Sequence, residues 1–163
     1  MPTFRKPRGS YVRDTGDWFS DKLMAGAVSF AALPGLYNNL YLYNDSDAGH
    51  VIQLLSITGW IESSAANLDV LTVLGQIGAA APVPAAPLDP FNPQRAGALY
   101  ATASAAYQGA GSFLELGGGA APFIYTPHHP ILILPAGYSG LFACDTPSLP
   151  MYVSLCWVVL PQG

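Results

Sequence analysis

Residues 36–60, LYNNLYLYNDSDAGHVIQLLSITGW, decide the fold class. Leu40 and Leu42 fall on one side of an extended chain, Tyr41 and Tyr43 on the other. That period of two marks a strand with one buried face. Residues 44–49, Asn-Asp-Ser-Asp-Ala-Gly, are a dense turn signal, because Asn, Asp and Ser side chains bond their own backbone and Gly accepts a positive φ. From His50 the chain runs extended again, with Ile52 and Leu54 on one side and Val51, Leu55 and Ile57 on the other. The pattern predicts a hairpin closed at residues 44–49.

Working outward, the same signature recurs. Leu68–Leu74, Leu99–Ala105, Phe113–Leu116, Phe123–Thr126, Ile131–Leu134, Leu141–Cys144 and Met151–Leu160 read as short strands between Gly- and Pro-containing turns. In the last, Met151, Val153, Leu155, Trp157 and Val159 share a face. Ala25–Ala32 reads as a first strand or a turn of helix against the body. Residues 75–98 hold five prolines among Ala and Gly, which predicts a long extended, polyproline-like loop. The expectation is an all-β protein: an antiparallel β-sandwich, jelly-roll-like, of about eight short strands. Residues 1–22 form an extended N-terminal arm and residues 23–163 a single domain.

Composition supports this class. Of 163 residues 51% are apolar, and the chain carries 17 Gly and 15 Pro. Disordered chains are poor in apolar residues, and Gly and Pro cost about 1 and 3 kcal/mol in helix interiors. Charged residues make up only 10%, against about 25% in an ordinary soluble domain. A surface so poor in charge is best explained by partners that cover it, since obligate interfaces are depleted in charge and rich in aromatics.

The charges are unevenly placed. Residues 1–22 hold five cations against three acids, a net of +2, while residues 23–163 hold Arg95 alone against seven acids. A basic arm bearing Arg5, Lys6, Arg8 and Arg13, with Trp18 and Phe19 as apolar anchors, suits docking on an acidic surface such as a neighbouring subunit. One cation in the body cannot line a phosphate-tracking groove, so no nucleic-acid partner is expected. No membrane partner is expected either. Leu23–Leu36 is an apolar run of 14 residues, where a spanning helix needs about 20; its polar leader is unlike a secretory signal. Residues 70–88 contain Pro82, Pro84 and Pro87.

Cys144 and Cys156 flank the turn at 145–150. If that turn closes a hairpin, residue 144 faces 151 and Cys156 faces position 139, too far out of register for a disulfide. Buried free thiols are the expectation, compatible with a reducing compartment.

Candidate chemistry is sparse. Counted from Asp45, the EF-hand positions five, six and twelve are Gly49, His50 and Ser56, so the calcium-loop pattern fails. His128 and His129 are adjacent and point to opposite faces of an extended segment, which does not favour chelation of one metal. Glu62, Asp69, Asp89, Glu115 and Asp145 are scattered, with nothing in their spacing that makes a catalytic pair. Gly117–Gly119 lacks the lysine and helix of a phosphate cradle, and no nucleophile elbow or metal motif is present. The chain is not expected to be an enzyme or to hold a cofactor. Nine tyrosines remain; Tyr37, Tyr41, Tyr43, Tyr100 and Tyr107 are candidates for subunit interfaces or for a sugar-stacking platform.

Two segments carry a resemblance. ILILPAGYSGLFACDTPSLPMYVSLCWVVL, residues 131–160, is a strand, Pro135-Ala-Gly137, a short strand, a polar turn and a final strand around Trp157. LYLYNDSDAGHVIQLLSI, residues 40–57, has the matching form. Together they resemble small jelly-roll structural proteins of tailed-bacteriophage virions, of the head-decoration or tail-appendage type, although Val158-Val159 follow Trp157 where that pattern has an acid. The resemblance implies a non-enzymatic virion component, commonly a homotrimer. Its partners would be copies of itself and a major capsid protein, with the arm as tether. The alternative is a carbohydrate- or receptor-binding β-sandwich that uses its surface tyrosines.

Overall fold

The computed structural model describes residues 23–46, 49–75, 80–88, 96–117, 119 and 121–161. The candidate arm residues Arg5, Lys6, Arg8, Arg13, Trp18 and Phe19 lie outside them. Twelve strands and no helix occur among the described residues: β1 (Leu23–Phe30), β2 (Tyr37–Tyr43), β3 (His50–Ile61), β4 (Asn67–Leu74), β5 (Ala81–Val83), β6 (Ala85–Pro87), β7 (Ala98–Ser104), β8 (Leu114–Gly117), β9 (Phe123–Tyr125), β10 (Leu132–Pro135), β11 (Tyr138–Cys144) and β12 (Met151–Pro161). All pairings are antiparallel.

One sheet has the order β10-β3-β12-β1-β6, with β9 also on β3; the other has the order β5-β7-β2-β11-β4-β8. The pairing is nested. β1 pairs β12, β2 pairs β11, β3 pairs β10 and β4 pairs β8, so the chain forms a long antiparallel ribbon whose successive stretches alternate between sheets. The two sheets face each other across one core, which takes Ile52, Leu54, Val153, Leu155 and Trp157 from the first and Leu40, Leu42, Leu68, Val70 and Phe142 from the second. Burying side chains of this kind contributes roughly 1.5–3 kcal/mol each.

The alternation of Leu40 and Leu42 against Tyr41 and Tyr43 is as expected, and so is the shared inward face of Met151 through Val159. The hairpin at residues 44–49 is not formed. β2 and β3 lie in different sheets, and this turn carries the chain from one to the other. The turn at 145–150 likewise crosses from β11 to β12. A polar turn between two amphipathic strands suits a hairpin and a sheet-to-sheet arch equally, and here nested long-range pairing decides. Ile57 also departs from expectation by facing the core with Ile52 and Leu54. The cause is a bulge: Cys156 pairs Ser56 while Trp157 pairs Leu54, so Leu55 is an extra residue that reverses the phase.

Residues 75–98 are not wholly a loop. β5 joins β7 at the edge of one sheet and, after Pro84 alone, β6 joins β1 at the edge of the other. Pro82 and Pro87 are tolerated because edge strands leave one row of backbone groups unpaired. β5 and β6 are the strands that the alternation does not announce, whereas β7 and β9 fall on the expected segments 99–105 and 123–126; the described residues hold twelve strands against about eight expected.

Buried amides bind the crossings. Asn44 donates from Nδ2 to the carbonyls of Leu134 (2.8 Å) and His50 (3.3 Å), and its Oδ1 accepts from the Ser46 amide (3.1 Å). Asn38 Nδ2 donates to the carbonyls of Ala31 (3.1 Å) and Leu149 (2.8 Å), tying two loops at the opposite end. Such bonds matter because an unpaired buried carbonyl costs about 1–3 kcal/mol.

Candidate functional site

The outer faces of the two sheets differ in chemistry. In the sheet of β3 and β12, the strand residues number 41 and include no Asp, Glu, Lys or Arg, whereas the strands of the other sheet carry Asp69 and Glu115. Register places Ile124, Thr58, Ser154 and Ala27 in one outward row, and Ile133, Gln53, Val158 and Leu23 in another. Ile124 is 74% exposed and Ile133 57%. Tyr152, on the same face, is 38% exposed, whereas Val158 is buried. An antiparallel sheet with one wet face ordinarily turns polar residues outward. This one turns no charge outward: aliphatic and aromatic residues stand there among the neutral polar Gln53, Thr58 and Ser154.

The outer face of the other sheet gathers all five candidate tyrosines. Tyr37, Tyr41 and Tyr43 alternate outward along β2, and Tyr100 on β7 stands directly opposite Tyr41. Tyr107, from the loop after β7, brings its ring to 5.7 Å from that of Tyr37. Tyr41 is only 2% exposed and packs with Leu141, Ala143, Leu71, Val73 and Tyr100. It is therefore closed to a ligand, and a stacking platform here would consist of Tyr37, Tyr43, Tyr100 and Tyr107.

Acids converge on the same face, against the expectation of scattered carboxylates. Asp69 on β4 is paired with Glu115 on β8. Asp69 is buried and accepts hydrogen bonds from the Tyr107 hydroxyl and from Ser112 Oγ (3.2 Å). Asp145 accepts from the Asn67 amide (2.9 Å) and from Asn67 Nδ2 (3.0 Å). Sequence spacing gives no sign of the Asp69–Glu115 pair, because it depends on the register of two strands far apart in the chain. In the same row, separated from Asp69 by Ala143, Asn39 is fully buried and its Oδ1 accepts no hydrogen bond.

Tyr107 is held protonated. Burial of its hydroxyl end, then the hydrogen bond to Asp69 and the negative charges of Asp69, Asp145 and Glu115, raise its pKa well above the ordinary 10.0. A folded-state value above the unfolded one means that the contact's stabilisation is complete below about pH 10 and fades as pH climbs through the higher value. The thiols of the buried Cys144 and the half-buried Cys156 are also raised from 9.0, chiefly by desolvation, and act in the same direction from about pH 9. Urea unfolding at pH 8 and pH 11 is expected to show lower stability at the higher pH, by a smaller margin in Tyr107→Phe. An equal margin in that variant would remove Tyr107 from the explanation.

Both cysteines are free, Cys144 in the core and Cys156 half-buried on the uncharged face, so only the first is as buried as expected. Asp45 Oδ1 accepts from the Gly97 amide (2.8 Å), a structural use of the residue where the calcium-loop count began. His128 and His129 sit on the bend between β9 and β10. Among the described residues, no group of three His, Cys, Asp or Glu is placed to hold a metal ion, and no helix is long and apolar enough to cross a membrane. Comparison of the chain with protein-family models, with curated proteins and with solved structures finds no match.

Proposed function

We propose that the chain is a non-enzymatic structural subunit, built as a jelly roll, that assembles with copies of itself as a virion component of the capsid-decoration or tail-appendage type. The observation that carries the self-assembly is the uncharged outer face of the β3–β12 sheet. Large exposed apolar patches on such a surface mark interaction sites. The jelly-roll reading is supported by the nested pairs β1–β12, β2–β11, β3–β10 and β4–β8, the order that wrapping one long double-stranded ribbon into two sheets produces. The virion setting is supported by the strand cadence of residues 40–57 and 131–160. A tethering role for residues 1–22 on a major capsid protein is supported by their basic charge.

The test is the native mass of the purified full chain at two concentrations, measured by light scattering. One multiple of 17.1 kDa at both concentrations is the expected result. A monomer at both overturns the reading.

A second reading, a carbohydrate- or receptor-binding module, is favoured by one observation: five tyrosines and Asp69 share one sheet face. A glycan-array signal that Tyr100→Ala abolishes is the result that would put this reading first. An array with no signal would retire it.

A further inference from the structure

We infer that the outer face of the β3–β12 sheet is covered, in the working protein, by the same face of a second copy of this chain. The inference rests on the reading that the chain assembles with itself, and it assigns that assembly to a surface other than the tyrosines.

Three observations converge on a second copy as the occupant. The first is chemistry. The strands of this sheet carry no Asp, Glu, Lys or Arg, while Ile124, Ile133 and Tyr152 stand exposed on its outer side. The second is size. β3 has 12 residues, about 40 Å of strand, and the four strands β10, β3, β12 and β1 span about 19 Å at ordinary inter-strand spacing. β10, β9 and β1 hold only 4, 3 and 8 residues, so the face measures about 600 Å², at the low end of the roughly 600–1,000 Å² per partner of a standard stable interface.

The third is electrostatic. The described residues include five carboxylates, Asp45, Glu62, Asp69, Glu115 and Asp145, and neither Lys nor Arg. Two copies meeting through the opposite sheet would bring the exposed Glu115 of each, beside the buried Asp69, towards the other, and like-charge juxtaposition costs several kcal/mol, by order of magnitude. The β3–β12 face carries no such penalty. A patch that pairs with itself does so about a two-fold axis, so the assembly contains an even number of chains, in place of the lone homotrimer that the resemblance implies.

The test places a charge at two separated points of the face in the full-length protein. Ile124 lies on β9 and Ile133 on β10, and both side chains are largely in water already, so Asp at either position leaves the fold intact. Leu74, at the end of β4 in the other sheet and 76% exposed, is the control. Sedimentation velocity is expected to give an even multiple of the chain mass for the parent and for Leu74→Asp. Ile124→Asp and Ile133→Asp are each expected to halve that mass, with an unchanged far-ultraviolet spectrum showing retained folding. A parent that assembles while both isoleucine variants keep its mass overturns this surface and leaves self-assembly standing. An odd multiple overturns the two-fold pairing. A monomeric parent overturns the self-assembly reading as well.

Discussion

Trp157→Ala is expected to remove about 3–5 kcal/mol of stability, enough to leave a marginally stable chain largely unfolded at ordinary temperature. Trp157 is the largest of the fully buried side chains and lies on β12, the strand that joins β1 to β3. Its indole packs in the core shared by both sheets, and Nε1–H donates to the Ala96 carbonyl at 2.9 Å. Alanine both empties the site and leaves that carbonyl without its donor. Urea titration followed by circular dichroism measures the loss. Trp157→Phe separates the two effects, because it keeps most of the packing and sacrifices the hydrogen bond, at about 1–3 kcal/mol. A loss under about 1 kcal/mol for the alanine variant would mean that the indole is not buried as described.

Gly97→Ala is expected to be nearly as damaging, although it adds one methyl group. Gly97 has φ +99°, a backbone conformation that side-chain-bearing residues rarely adopt. A Cβ there would sit 2.5 Å from Trp157 Nε1 and 2.8 Å from its Cε2, with Ile52 Cδ1 at 3.1 Å. The indole is enclosed in the core and cannot swing aside. Strain of about 1–3 kcal/mol and overpacking of a similar size therefore add. Gly35→Ala is the comparison: φ is +71°, but nothing lies within 4 Å of the added atom. It is expected to cost only the backbone term, about 1–2 kcal/mol. Equal losses for the two variants would show that the contact with Trp157 is not tight.

Gly97 and Gly35 are alike in sequence and differ only through what the fold packs against them. Alternation is local, so the buried faces of β2 and β12 are legible, and with them Trp157 and Leu40. A bulge is not, because one unpaired Leu55 shifts the phase without changing residue type, and Ile57 changes sides. The turn at residues 44–49 has the chemistry of a reversal, but that chemistry does not say which sheet the next strand joins. β5 and β6 are short Ala- and Pro-containing segments whose strand character comes only from the β7 and β1 edges beside them.

The surfaces follow the same division. Outward tyrosines on β2 are visible as a pattern, whereas their meeting with Tyr107 and Asp69 needs the tertiary path of the loop after β7. One strand of the uncharged face is legible in the sequence. Tyr152, Ser154, Cys156, Val158 and Leu160 alternate with the core residues of β12 and include no charge. That β1, β3, β9 and β10 supply equally uncharged neighbours to the same face follows from pairing over distances no local pattern encodes.

The most direct measurement is hydroxyl-radical footprinting of the native full-length protein, each residue compared with itself in the unfolded chain. If the β3–β12 face is covered by a second copy, Ile124, Ile133 and Tyr152 are protected, while Leu74 and Phe113, 76% and 58% exposed elsewhere, are labelled freely. Labelling of Ile124 and Ile133 as fast as Leu74 and Phe113 would contradict it, since the face would then stand open to water.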